Sequence, residues 1–161
     1  MICTIISTGE ELMQDCKNEY EPLLTDIKEK LREIIWGLYC NGYDRFYLNC
    51  EYGIPLWSAE IISALKKYNN IELHIAMPYE EQAKDWYDDQ RERYFNVHAL
   101  SDDVHMLEKQ YYDGCYDDAE EYMIDQSDLL LVFGCKQSGD FLHSIKYAKE
   151  NDVECMYFKI L

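Results

Sequence analysis

The sequence predicts an α/β fold: a Rossmann-like, doubly wound, mostly parallel six-stranded sheet with helices on both faces. Three observations predict it. Short apolar runs of strand length alternate with segments of helical period along the chain. The run from Leu129 to Phe133 shows no polar alternation, as expected of a central parallel strand covered on both sides. Finally, residues 45–60 couple a short apolar strand, a loop with Gly53 and Pro55, and a helix carrying Leu56, Ala59, Ile62 and Leu65 on one face. That unit aims a helix N-terminus, with its unpaired N–H groups, at a small ligand.

In chain order, Cys3 to Ser7 reads as the first strand, turned by Thr8-Gly9, and the acidic stretch from Glu10 to Glu21 as a loop or short helix. Pro22 suits a first helical turn, and Leu23, Leu24, Ile27, Leu31, Ile34, Ile35 and Leu38 recur at helical spacing up to an Asn41-Gly42 stop. The strand at Phe46 to Leu48 and its helix, ending near Tyr68, come next. Leu73 to Met77 reads as a strand closed by Pro78, Glu80 to Asn96 as a charged helix, and Asp103 to Leu107 as a weaker strand. A short acidic helix from Tyr116 to Gln126, the strand from Leu129, a polar loop from Gly134 to Asp140, a helix from Phe141 to Glu150 and a strand from Cys155 to Ile160 complete the pattern. At 161 residues the expectation is one domain, 1–161.

Composition bounds the partners. Acids outnumber bases 32 to 15, a formal charge of -17, whereas nucleic-acid binding rests on a Lys/Arg excess; the expectation is no nucleic acid. No apolar run approaches the roughly 18 residues that span a bilayer, so no membrane is expected. The first residues lack the basic start and long apolar core of a signal peptide, and the chain reads as soluble and cytoplasmic. Seven cysteines without a C-x-x-C pair and four scattered histidines argue for reduced thiols and against a metal site.

Certain motifs go further. They are Thr8-Gly9, then Gly53-Ile54-Pro55-Leu56-Trp57-Ser58-Ala59-Glu60, then Pro78-Tyr79, Gln82 and Trp86, then Tyr122-Met123, Asp125 and Ser127-Asp128, then Ser138-Gly139. In this order they resemble the SLOG superfamily, and within it the YpsA-like branch, from about Thr8 to Ile160. The resemblance implies kinship with the LOG phosphoribohydrolases and the DNA-processing DprA proteins, and a nucleotide-derived ligand. It implies a cradle made by the turn after the first strand, the Gly loop after the second, an Arg-Asn pair and a Gly-Gly-Thr loop after the fifth.

The chain departs from that pattern at most of these points. Asn49-Cys50-Glu51-Tyr52 stands where small residues are usual, Pro55 replaces an Asp, Ala119-Glu120 replaces the Arg-Asn pair, and Gly139-Asp140-Phe141 replaces Gly-Gly-Thr. Two carboxylates ~4 Å apart repel by about 4 kcal/mol at an effective dielectric of ~20, so Glu51, Glu120 and Asp140 in one cleft would oppose a phosphate. Asp140 is expected to fill the former anion site itself. The phosphate site is therefore read as degenerate.

The candidate ligand contacts are Thr8, Gly9, Asn49, Gly53, Trp57, Glu60, Tyr79, Gln82, Ser138, Gly139 and Asp140. Trp57 reads equally as a base-stacking surface or as core, Glu60 as a ribose contact or a structural cap, and Tyr79 and Gln82 as ligand contacts or turn residues. Arg91 and Arg93 read as a solvated helix face, and Asp125 to Asp128 as a helix exit. Non-catalytic recognition of a nucleotide-like ligand is the leading expectation, with no further cofactor assigned. The alternatives are an N-glycosidic-bond hydrolase with Glu60 as acid, and an interaction module using the acidic, tyrosine-rich surface, which would also support a homo-oligomer.

Overall fold

The computed structural model describes residues 1–7, 21–134 and 141–159. Strands and helices follow as β1 (Ile2–Ser7), α1 (Pro22–Cys40), β2 (Arg45–Leu48), α2 (Ile54–Leu65), β3 (Glu72–Tyr79), α3 (Asp88–Leu100), β4 (Asp103–Glu108), α4 (Cys115–Asp125), β5 (Leu129–Gly134), α5 (Phe141–Glu150) and β6 (Glu154–Lys159). All the strand pairings are parallel, in the order β4-β3-β2-β1-β5-β6. β2 to β4 wind outward on one side of β1, and β5 and β6 on the other. The winding therefore reverses between β1 and β5, where folds of this kind open a crevice at the carboxyl ends of the strands.

Side-chain alternation sorts two cores. Cys3, Ile5, Phe46, Leu48, Leu73, Ile75, Leu129, Leu131 and Phe133 pack under α1, α2 and α3, while Ile6, Tyr47, Ala76, Leu130 and Val132 meet Met123 and Ile124 of α4 and Ala148 of α5. β5 is buried along its whole length, whereas the edge strands β4 and β6 are largely exposed. On α1, Leu24, Ile27, Leu31, Ile35 and Leu38 form the buried stripe. Asn41 closes that helix, its side-chain Nδ2 donating to Gly37 O at 2.7 Å, and Gly42 follows at φ +95.

Three boundaries differ from expectation. β3 runs through Pro78, because β2 ends at Leu48 opposite Ile75 and no strand on that side needs the missing N–H. Residues 80–86 form turns instead of helix. Gln82 and Ala83 are buried there, Trp86 sets its ring edge against Tyr52 and Tyr94, and α3 begins at Asp88-Asp89, acids suited to a first turn. Gly134 ends β5 and does not open the following loop. The expected loop or helix at 10–20 and the loop at 135–140 lie outside the described residues.

The stretch from Asp125 to Asp128 has a structural role beyond a helix exit. Thr4 Oγ1 donates to Met123 O at 3.0 Å and meets Ser127 Oγ at 2.7 Å. Ile2 N donates to Asp128 Oδ2 at 2.8 Å, and Asp128 N returns a bond to Ile2 O at 2.9 Å. These contacts fasten the α4–β5 turn to the amino end of β1. Asp128→Ala is expected to lower stability by about 1 kcal/mol, seen as a lower urea midpoint with an unchanged slope.

Candidate functional site

Ser7, Gly134 and the loops after β2, β3 and β4 form the described part of the crest at the carboxyl ends of the parallel strands. Thr8, Gly9, Ser138, Gly139 and Asp140, and with them the expectation that Asp140 fills an anion site, fall outside the described residues. The loop after β2 turns through two left-handed backbone positions, Cys50 at φ +54 and Gly53 at φ +108. For a cysteine that geometry costs roughly 1–2 kcal/mol and needs surrounding structure to hold it.

The holding groups are the candidate residues themselves. Asn49 is 2% exposed; its Oδ1 accepts from Glu51 N at 3.0 Å and its carbonyl accepts from Gln82 Nε2 at 3.1 Å. Gln82 Oε1 in turn accepts from the Tyr94 hydroxyl at 3.1 Å. Burial pushes the Tyr94 phenol well above the ordinary tyrosine range, so it keeps its proton and remains a donor. Asn49 and Gln82, expected as ligand contacts, thus face inward and lock the loop. Gly53 begins α2 with its carbonyl accepting from Trp57 N at 2.9 Å.

Trp57 and Glu60 face a groove between α1 and α2 and are not part of the described crest loops. Trp57 is 2% exposed within the larger core, with the Lys28 ammonium 4.7 Å from its ring centroid. Together with Glu60 it lines a groove of about 630 Å³ between α1 and α2. Glu60 is held from α3: Arg93 Nε donates to Oε1 at 2.6 Å and Nη2 to Oε2 at 2.7 Å. Arg93 is therefore no solvated cation but one arm of a bidentate bridge across α2 and α3.

Tyr79 packs edge-on against Tyr111 and Tyr116, centroids 5.4 and 6.4 Å away. Glu120, expected in the cleft, accepts a hydrogen bond from the buried Ser144 hydroxyl of α5. Beside it Glu121 meets His143 at 2.7 Å and Asp125 accepts from the Tyr147 hydroxyl at 2.8 Å, so the acids of α4 lace that helix to α5. Among the described residues no group of three or more His, Cys, Asp or Glu side chains is arranged to hold a metal ion. Cys3, Cys50 and Cys115 are buried free thiols, and burial raises the pKa of each.

One crest residue gave no signal in the sequence. Ser7, at the end of β1, is 9% exposed and its Oγ has no hydrogen-bond partner among the described residues. The described loops after β2, β3 and β4 carry Glu51, Glu80, Glu81, Asp85 and Asp113 against Lys84, whose Nζ meets Glu81 at 3.3 Å, and Lys109.

The family model described as the YspA SLOG family, YpsA, matches residues 15–159. The chain belongs to the YpsA family of SLOG proteins. A UPF0398 protein of Halalkalibacterium halodurans is 30% identical over 112 residues, 68% of this chain and 59% of that protein. A UPF0398 protein of Lysinibacillus sphaericus is 28% identical over 82% of this chain and 74% of its own length. The chain thus spans well under two thirds of the first of these relatives.

Among solved structures, DNA processing protein A from Helicobacter pylori, described for its single-stranded DNA binding mode, is similar with a TM-score of 0.62 at 15% identity. That likeness covers 98% of this chain and 64% of the other, and at this identity it establishes a shared fold. It also corrects the exclusion of nucleic acid drawn from net charge. A protein of this fold binds single-stranded DNA, and net charge sums over a whole surface whereas binding depends on the local field of one groove.

A double-mutant cycle of Glu60→Gln and Arg93→Met, read by urea denaturation, is expected to give a coupling of about 1–2 kcal/mol, above that of exposed pairs. A coupling near zero would make the bridge energetically idle.

Proposed function

We propose that the chain is a non-catalytic SLOG ligand-binding domain, with residues 1–161 acting as one unit. Its ligand is a small, nucleotide-like molecule taken at the crest where the winding reverses. The observation that carries this reading is the construction of the loop after β2: left-handed turns at Cys50 and Gly53, held from below by the Asn49–Gln82–Tyr94 chain. Strain of that kind is kept where a rigid, pre-organised backbone is useful. The acids of the described crest loops, which outnumber Lys84 and Lys109 there, support a phosphate site that is degenerate.

Glu60 supports the absence of catalysis. Both of its oxygens accept guanidinium hydrogens, which leaves the carboxylate poorly set up to protonate a leaving base. A second reading, single-stranded nucleic acid, draws on the likeness to DNA processing protein A, whose fold this chain shares.

Thermal-shift titration of the full chain with nucleosides, nucleotides and ADP-ribose tests the first reading, since a ligand of the native state raises the midpoint by mass action. At least one of these compounds is expected to raise it in a concentration-dependent way, with no base released from nucleoside monophosphates. Release of base that is abolished by Glu60→Gln would establish the hydrolase instead. Saturable binding of a labelled single-stranded oligonucleotide, weakening with salt, would establish the second reading.

A further inference from the structure

α1 carries a second stripe beside its buried one. Pro22, Thr25, Glu29, Arg32, Trp36 and Tyr39 recur at alternating steps of three and four, which places them on one face of the helix. All are exposed except the half-buried Tyr39. Trp36 is 44% exposed, its ring centroid 5.5 Å from that of Tyr39, so a large apolar surface faces solvent. Among the described residues neither Glu29 nor Arg32 forms an ion pair, in a chain where acids outnumber bases 32 to 15.

This stripe is complementary to itself. The pairs Glu29–Arg32, Thr25–Trp36 and Pro22–Tyr39 all centre on one point, between residues 30 and 31. A second α1 laid antiparallel across that point, about a two-fold axis, therefore sets each Glu29 against the other copy's Arg32 and each Trp36 against the other copy's Thr25. The parallel alternative would set Glu29 against Glu29 and Arg32 against Arg32, so charge selects the antiparallel one. Beside the stripe lies the groove of about 630 Å³, with Thr25, Glu29 and Arg32 on its α1 wall and Ile61, Ala64 and Leu65 on its α2 wall. An indole arriving at Thr25 meets the edge of that groove and has apolar surface there to cover.

We propose that the outer face of α1, with the adjoining groove, is a docking surface for a second copy of this chain. The product is an antiparallel, two-fold dimer held by reciprocal Glu29–Arg32 pairs and by Trp36. It shares no residue with the crest and stands or falls independently of the ligand reading. Nineteen residues make α1 about 28 Å long, and a contact of that extent belongs among small interfaces, so the dimer is weak and exchanging. The charge of -17 on each copy opposes association at low ionic strength and is screened in physiological salt, where the Debye length is about 8 Å.

The test is sedimentation velocity of the full chain in ~0.15 M salt, from about 5 to 500 µM, a range that brackets micromolar dissociation constants. Wild type is compared with Glu29→Arg, Arg32→Glu, the double exchange and Trp36→Ser, each with a thermal melt. Wild type is expected to pass from monomer to dimer as concentration rises. Either single reversal, or Trp36→Ser, is expected to weaken the dimer about tenfold or more, and the double exchange to restore it. An equimolar mixture of the two single reversals is expected to form a mixed dimer, because every facing pair is then opposite in sign. Melts should match wild type, as the changed side chains are exposed; should a single reversal melt lower, the mixture still decides. A wild type that stays monomeric throughout would overturn the proposal. So would a dimer that withstands both reversals, or a mixture in which no dimer forms.

Discussion

The parallel pairing of β1 with β5 is the interaction on which the rest of the structure depends. Five register pairs, from Cys3↔Leu129 to Ser7↔Phe133, join the two oppositely wound halves of the sheet. Without them β2–β4 and β5–β6 would be separate ribbons. The Ile2–Asp128 and Thr4–Ser127 bonds fix the amino end of that seam, so its carboxyl end carries the reversal of winding by geometry alone.

Along this seam the polar groups divide by function. At the amino end Ile2 and Asp128 exchange hydrogen bonds and the Thr4 hydroxyl is engaged by Met123 O and Ser127 Oγ. At the carboxyl end the loop after β2 is equally well tied, by Asn49, Gln82 and Tyr94, whereas Ser7 Oγ has no partner among the described residues. The Glu60–Arg93 bridge belongs to the scaffold: it clamps α2, which starts at that loop, to α3.

Much of the fold was legible because parallel strands covered on both faces leave uninterrupted apolar runs, as in Leu129 to Val132, and because α1 keeps a clean buried stripe. The region after β3 was not. Trp86, Gln82 and Tyr94 supply a helix-compatible mixture of charge and aromatic residues, but burying Gln82 under Asn49 and Trp86 against Tyr52 forces turns before the helix can start. The candidate site was less legible still. The partner of Glu60 lies 33 residues away on another helix, and Trp57 has the same spacing whether it faces a ligand or the core. Ser7 is a common residue in a common place, and only the missing partner singles it out. Net charge misled for a related reason: it averages over surfaces that act separately.

Backbone amide hydrogen exchange of the full chain, with and without saturating adenosine, tests the central claim most directly. The account predicts added protection concentrated at the end of β1 around Ser7 and in the segment 49–53, with α1 and the groove face of α2 unchanged. Protection confined to the α1–α2 groove, or no change anywhere under conditions where binding is saturated, would contradict it.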